Sequence, residues 1–141
     1  MTTSSAAAFA TEYRWDVPHA TVDELVRYAC DFCKPFWAPF TFSDHKTRTV
    51  LLPGGPVVTE RLQPGETHAS YEYIATGVAG IDGYAGTFRV SEADGTPRLT
   101  WHVTFTAANN SAANYMLWVN SGAVPTIAAS LNDRFPAPAP R

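Results

Sequence analysis

Six short segments lie between residues 40 and 107, and the last three clearly alternate in polarity. This run constrains the fold more than any other feature of the sequence. The segments cover approximately residues 40–45, 47–52, 57–63, 69–76, 83–90 and 98–107. Stretches rich in glycine and proline divide them, among them Pro53–Pro56, Pro64–Glu66, Gly77–Gly83 and Glu92–Pro97. Because the connections are short, neighbouring segments are expected to pair antiparallel as a meander.

A strand and a helix are predicted before this run, and a long helix after it. Apolar residues alternate over residues 9–17, which predicts a first strand. Thr21–Glu24 has the pattern of a capping box, so a helix is expected to begin there. Residues 112 to about 134 carry apolar side chains at helical spacing and predict one long helix, which Pro125 is expected to bend. This order of elements predicts an α+β fold.

An aromatic segment, Phe32–Phe40, separates the first helix from the run of strands. Pro35 and Pro39 exclude one continuous helix there, so we expect a second short helix or a turn that plugs an apolar space. The elements together predict a single domain over residues 1–135, followed by a disordered, proline-rich tail at 136–141.

The composition indicates a protein built around a cavity. Hydrophobic residues make up 45% of the 141 residues, which excludes global disorder, and aromatic residues make up 13%. Charged residues make up 16%, below the roughly 25% of an average soluble domain. The net charge of −3 offers no basic surface for nucleic acid. No apolar run approaches the ~20 residues of a membrane span, and no secretory signal pattern is present, so we expect a cytoplasmic protein.

Metal and cofactor motifs are missing from the sequence. Cys30 and Cys33 form a lone C-x-x-C, and neither His-x-His nor His-x-x-x-His spacing occurs. Nucleophile elbows and glycine-rich phosphate loops are also missing. We therefore expect ordinary thiols, no metal and no cofactor.

Four short motifs, taken in their order and spacing, resemble those of the START/polyketide-cyclase superfamily. They are Thr59–Leu62, Tyr71–Tyr73, Tyr84–Thr87 and Leu99–Trp101, the last followed by Phe105. The resemblance covers roughly residues 8–135 and implies the helix-grip fold. In that fold a curved, seven-stranded antiparallel sheet wraps around the C-terminal helix and leaves an apolar cavity, with two short helices after strand 1. The superfamily includes polyketide cyclases, lipid carriers and hormone receptors, so the fold does not decide between catalysis and binding.

Strand parity predicts that Glu60 faces this cavity. If the turn at 53–56 closes symmetrically, Thr49 pairs with Glu60, and if the next turn does the same, Glu60 lies opposite Tyr73. Burial raises the pKa of a carboxyl group toward the range of a general acid or base. The resemblance agrees, because the Glu of the Glu-Arg-Leu motif faces the ligand in the hormone-receptor branch. A structural carboxylate that accepts hydrogen bonds from its neighbours is the alternative.

The same parity places the strand arginines outside. Arg48 and Arg61 are expected to point into solvent, where two like charges can be hydrated. Aromatic-polyketide cyclases often hold an arginine inside the pocket, so this expectation marks a departure from their pattern.

The other candidate site residues are aromatic side chains and two residues of the long helix. Tyr73 and Tyr84 join Glu60 in the predicted catalytic set as hydrogen-bond donors, with ordinary core packing as the alternative. Phe88 is expected opposite Trp101 across the turn at 92–97. The predicted ligand-binding residues face inward on the strands or lie along the covering helix: Tyr71, Phe88, Trp101, Phe105, Met116 and Asn120.

Two main functions remain open. One is a cofactor-independent cyclase or dehydratase that acts on a polyketide-like molecule, with Glu60 moving the proton. The other is a carrier or sensor that binds a hydrophobic small molecule unchanged. An interaction module that uses the outer sheet face ranks last, because that face is polar. The expected partner is a hydrophobic small molecule and not nucleic acid, and the oligomeric state stays open, with a homodimer as one option.

Overall fold

The computed structural model describes residues 6–140. Within them, seven strands form one antiparallel sheet in the order β1-β7-β6-β5-β4-β3-β2. The strands are β1 Ala7–Asp16, β2 Thr41–Asp44, β3 Thr47–Leu51, β4 Val57–Leu62, β5 Ser70–Thr76, β6 Ile81–Ala93 and β7 Thr96–Ala107. The helices are α1 Val22–Ala29 and α2 Asn110–Arg134. Residues 1–5 of the predicted domain and Arg141 of the predicted tail lie outside the described residues.

The strands and the long helix agree with the sequence prediction. Each predicted segment corresponds to a strand whose ends differ by a few residues, and the long helix begins two residues earlier than expected. Helix α1 begins at the predicted capping box, because Thr21 Oγ1 accepts from the Glu24 amide at 3.1 Å and Glu24 Oε1 accepts from the Thr21 amide at 2.9 Å. None of the helices in residues 6–140 is long and apolar enough to cross a membrane.

The segment after α1 forms turns and no second helix, so the prediction of two short helices after strand 1 is wrong, whereas the alternative of a turn is confirmed. Residues 31–40 form turns and bends up to the start of β2. Pro35 and Pro39 each remove a backbone donor, which leaves too few residues between them for a helical turn. The segment does fill an apolar space, because Phe36 and Trp37 pack against Phe88 at centroid distances of 6.4 and 6.1 Å.

The pairing of β3 with β4 differs from the predicted register by one residue. The connection consists of residues 52–56 alone, so Leu51 pairs with Val57 and Arg48 with Glu60. Because side chains alternate between the two faces of a sheet, this shift moves every side chain of β3 to the opposite face. Arg48 is therefore buried inside the protein, and the prediction that it points into solvent is wrong.

Glu60 faces the concave side of the sheet, but its neighbour on β5 is not the predicted one. Glu60 pairs with Ala75, whereas Tyr73 pairs with Leu62. Ala75 and Tyr73 have the same parity, so Tyr73 is also on the concave side and is fully buried. The prediction of a directly opposed pair is wrong, and the prediction of a shared face is right.

Aromatic side chains cover the concave face between the sheet and α2. Phe88 on β6 lies opposite Trp101 on β7, as predicted, and their rings stack at 5.5 Å with an interplanar angle of 1°. Helix α2 closes this face with buried Met116, Asn120 and Ile127. The space left between helix and sheet is where a ligand cavity is expected in such an arrangement.

Candidate functional site

A cavity of about 60 Å³ lies between the concave face of the sheet and α2. Its walls are mostly apolar, with contributions from Val50, Val58, Val78, Met116 and Val119. A few polar side chains converge on it: Glu60, Tyr73, Tyr84 and Asn120, together with the indoles of Trp37 and Trp101. An apolar space with a few convergent polar groups is the usual form of a small-molecule site.

Glu60 lies in this wall as half of a buried ion pair. Arg48 Nε donates to Glu60 Oε1 at 2.8 Å, and the Arg48 side chain is 0% exposed. Arg48 Nη1 also donates to the Phe32 carbonyl at 2.8 Å. The guanidinium carbon lies 4.1 and 4.2 Å from the ring centroids of Phe32 and Phe40, so aromatic faces surround the cation. The aromatic segment 32–40 thus supplies the environment in which a buried arginine is tolerated.

Burial raises the pKa of Glu60, and the adjacent Arg48 guanidinium limits the rise. The carboxyl group therefore holds a proton more readily than an exposed glutamate does. It also lines the cavity, so it can exchange a proton with a bound molecule.

Each of the two tyrosines in the predicted catalytic set takes part in a buried hydrogen bond. Trp101 Nε1 donates to Tyr73 Oη at 3.0 Å, and Tyr84 Oη donates to Asn120 Oδ1 at 3.1 Å. Burial raises the pKa of both tyrosines well above the usual value, so neither ionises near neutral pH. The Tyr84 proton is held by Asn120, which makes Tyr84 a residue that positions the Asn120 amide.

Two buried donors at the cavity have no hydrogen-bond partner among the described residues. They are Asn120 Nδ2 and Trp37 Nε1. Asn120 is 2% exposed and lines the cavity, while its Oδ1 is already bonded to Tyr84. An unpaired buried N–H costs free energy, so such donors persist where a ligand or water completes them. Both N–H groups can bind an acceptor oxygen on a ligand.

The structure brings six of the nine predicted site residues to the cavity wall: Glu60, Tyr73, Tyr84, Trp101, Met116 and Asn120. The other three, Tyr71, Phe88 and Phe105, are buried behind the wall and pack against its aromatic members.

Sequence reasoning missed two residues at this site, Trp37 and Arg48. The aromatic segment 32–40 indicated a plug but not which of its rings reaches the cavity. For Arg48 the sequence held no decisive signal, because the length of the connection at 52–56 determines the parity of β3 and its residues leave that length open.

No protein-family model matches the chain, and no curated protein matches it. Solved structures share its fold at low sequence identity. Norcoclaurine synthase from Thalictrum flavum superposes with a TM-score of 0.68 at 10% identity, over 99% of this chain and 100% of that one. It has also been solved in complex with dopamine and hydroxybenzaldehyde. The protein XoxI from Bacillus cereus has a TM-score of 0.67 at 20% identity, over 92% and 95% of the two chains. Ara h 8.0201 has a TM-score of 0.59 at 12% identity, over 90% and 99%.

These similarities define a class of protein by its fold: a curved antiparallel sheet that grips a long C-terminal helix around a cavity. The chain has the helix-grip fold, which the sequence motifs indicated. At these identities the similarity establishes the fold, and the activity has to be argued from the site itself.

Proposed function

We propose that the protein is a cofactor-independent cyclase or dehydratase that acts on a polyketide-like carbonyl compound bound in the cavity. One observation carries this proposal: a single apolar cavity holds a buried carboxyl group, Glu60, and an unpartnered buried amide donor, Asn120 Nδ2. These are the two groups that proton abstraction next to a carbonyl requires, one to take the proton and one to stabilise the oxygen that becomes negative.

The chemistry begins with Glu60. Its carboxylate takes a proton from the carbon adjacent to a substrate carbonyl, and the electron pair moves onto the carbonyl oxygen. Asn120 Nδ2 donates a hydrogen bond to that oxygen, and the Tyr84 bond to Asn120 Oδ1 holds the amide in the required orientation. Arg48 keeps Glu60 ionised often enough to act as a base, because its charge opposes the effect of burial on the carboxyl pKa.

Cyclisation follows when the enolate carbon attacks a second carbonyl of the same chain. A carbon–carbon bond forms, and the new alkoxide takes back the proton that Glu60 holds. Loss of this hydroxyl with a neighbouring hydrogen releases water, which is the dehydratase step. The apolar walls contribute by folding a flexible chain so that its two reacting carbons meet.

The structural neighbours support a small carbonyl substrate. Norcoclaurine synthase, which has the same fold, has been solved with hydroxybenzaldehyde, an aromatic aldehyde. Aromatic rings line the present cavity, including those of Trp101 and Tyr73, and such rings can stack on the planar carbonyl part of a ligand.

A carrier or sensor is the second candidate, and the Arg48–Glu60 bond favours it. Glu60 already has a charged partner, so the pair is also consistent with a structural role that leaves the cavity to bind and not to react.

Deuterium exchange tests the catalytic proposal directly. Acetophenone incubated with the protein in D₂O is expected to exchange its methyl protons, as followed by NMR, because the first step needs only Glu60 and the oxygen-binding donor. Glu60→Gln is expected to slow the exchange at least ~100-fold, the lower range for general acid–base catalysis. Glu72→Gln, an exposed carboxyl on the adjacent strand, is the matched control and retains the wild-type rate.

Two results would favour the carrier instead. One is equal exchange by wild type and Glu60→Gln. The other is an unaltered hydrophobic molecule retained by the freshly purified protein in native mass spectrometry, without exchange activity.

A further inference from the structure

A second concavity lies on the surface directly outside the cavity. It is a groove of about 300 Å³ between the end of β3, the Trp37–Pro39 segment and α2. Five residues line the groove and the cavity at once: Trp37, Val50, Leu52, Val119 and Ala123. The two spaces are therefore separated by one layer of side chains.

The groove is apolar and open to solvent. Leu51 and Trp118 in its walls are 68% and 61% exposed, and no charged side chain lines it among the described residues. Apolar surface left in water is unfavourable, so the hydrocarbon part of a ligand is stabilised by covering it.

The five shared residues form a dividing layer between cavity and groove, and Trp37 is the member of this layer that is best able to move. It lies in the irregular segment between Pro35 and Pro39, where no helix or sheet bonds hold the backbone. Its indole makes only tilted or edge contacts, at 5.4 Å to Phe40 and 5.9 Å to Trp101. Its Nε1 is buried without a partner, so rotation of the ring toward water or a ligand oxygen relieves an unfavourable state.

The cavity alone is small for a substrate. Its volume of about 60 Å³ accommodates a few waters or a carbonyl group, whereas sites for drug-sized ligands usually begin near ~300 Å³. The groove adds a volume of that order once Trp37 moves aside.

We propose that the ligand is an elongated amphipathic molecule, with a carbonyl head in the cavity against Asn120 and an alkyl tail that passes Trp37 into the groove. This inference rests on the proposed function, since it takes the cavity as the place of the carbonyl group. It adds the substrate class, a carbonyl compound with a flexible hydrocarbon chain, and a binding subsite outside the cavity.

A series of 2-alkanones from 2-butanone to 2-decanone tests the inference, with dissociation constants measured by NMR titration. Each added methylene is expected to tighten binding about fourfold until the groove is filled. Gly122→Phe is expected to abolish this dependence on chain length. A Cβ at Gly122 meets nothing within 4 Å, and the residue lines the groove, so the added ring fills the groove without disturbing the fold. Ser121→Phe is the matched control, because it adds the same ring at an exposed position of α2 outside the groove.

Asn120→Leu separates this inference from the proposed function. It is expected to weaken every member of the series by the same factor and to leave the chain-length dependence intact. If affinity still depends on chain length but Asn120→Leu changes no dissociation constant, the carbonyl group does not lie in the cavity. That result would contradict both the proposed function and the placement of the carbonyl head against Asn120. If the ketones bind without any dependence on chain length, or if Gly122→Phe retains the dependence, the groove subsite is wrong and the cavity site stands. Failure of all the ketones to bind would contradict both.

A label on the dividing layer gives an independent readout. With 5-fluorotryptophan in the protein, the fluorine resonance that Trp37→Phe removes belongs to Trp37. Saturation with 2-decanone is expected to shift that resonance, because the tail displaces the ring. An unchanged Trp37 resonance under saturation would overturn the proposed path past Trp37.

Discussion

Arg48 Nε and Glu60 Oε1 form a 2.8 Å ion pair across β3 and β4, in the interior of the protein and at the edge of its cavity. The two charged groups stabilise each other. Phe32 and Phe40 cover the guanidinium, and the carboxyl group faces the apolar cavity, so each charge depends on the other for compensation.

Removal of Arg48 is expected to destabilise the protein by about 3–5 kcal/mol, because Arg48→Met leaves the buried Glu60 carboxyl without its partner. Chemical denaturation measures this loss. Arg61→Met, at an exposed position of β4, is the control and is expected to stay within ~0.5 kcal/mol of wild type. The double variant Arg48→Met with Glu60→Leu is expected to recover most of the loss, since both charges are then replaced by apolar groups. A loss below about 1 kcal/mol for Arg48→Met would mean that the pair carries little of the stability.

Glu60 is expected to make stability depend on pH. Burial raises the pKa of Glu60 in the folded protein above its usual 4.5, so the folded state holds the proton more tightly than the unfolded state. The stabilisation of the folded state by protonated Glu60 is therefore complete below pH 4.5, and it decreases as the pH rises through the folded-state pKa of Glu60. The free energy of unfolding of wild type, measured relative to Glu60→Gln between pH 4 and 8, is expected to fall with rising pH. A difference that rises with pH would show that Arg48 outweighs burial and holds the pKa of Glu60 below 4.5.

The strand order and the long helix were predictable because turn chemistry is local. Glycine and proline clusters mark the ends of strands directly in the sequence, and the change of period after residue 109 marks α2. The Phe88–Trp101 pair was also predictable, since the 92–97 turn is short enough to define its register.

The position of Arg48 was not predictable in the same way. Whether the connection after β3 takes up five or six residues decides the face of every β3 side chain, and the proline and glycine residues at 53–56 are compatible with either length.

The position of Trp37 was not predictable for a different reason. It lies in an irregular segment without a period, so no parity argument assigns its ring to a face.

Gly86 is expected to be essential for the packing of Tyr73. The two residues pair across β5 and β6, and a Cβ at Gly86 would overlap the Tyr73 ring and hydroxyl. Gly86→Ala therefore displaces Tyr73 and breaks its bond from Trp101, with an expected loss of about 1–3 kcal/mol in chemical denaturation. The control is Gly122→Ala, where the new methyl group meets nothing within 4 Å and α2 gains about 0.5–1 kcal/mol from the better helix former. Equal stability of Gly86→Ala and wild type would show that the Tyr73 ring has room to move.

Trp101 is expected to support both the fold and the binding site. Its ring stacks on Phe88, its Nε1 donates to Tyr73 Oη at 3.0 Å, and it lines the cavity. Trp101→Ala is expected to cost about 3–5 kcal/mol, the range for loss of a large buried ring, and to weaken binding of acetophenone because a wall of the cavity disappears. The stability control is Trp118→Ala, whose side chain is largely exposed and whose loss is expected to cost no more than ~0.5 kcal/mol.

Trp101→Phe keeps the measurement possible if the alanine variant fails to fold. It retains a ring against Phe88 but removes the donor to Tyr73 and part of the buried indole, so a loss of about 1–3 kcal/mol, smaller than that of the alanine variant, is expected. Calorimetric titration with acetophenone measures the affinity of each variant, and chemical denaturation measures its stability. A variant of Trp101 that is strongly destabilised yet binds acetophenone as tightly as wild type would show that Trp101 belongs to the core and contributes nothing to the site.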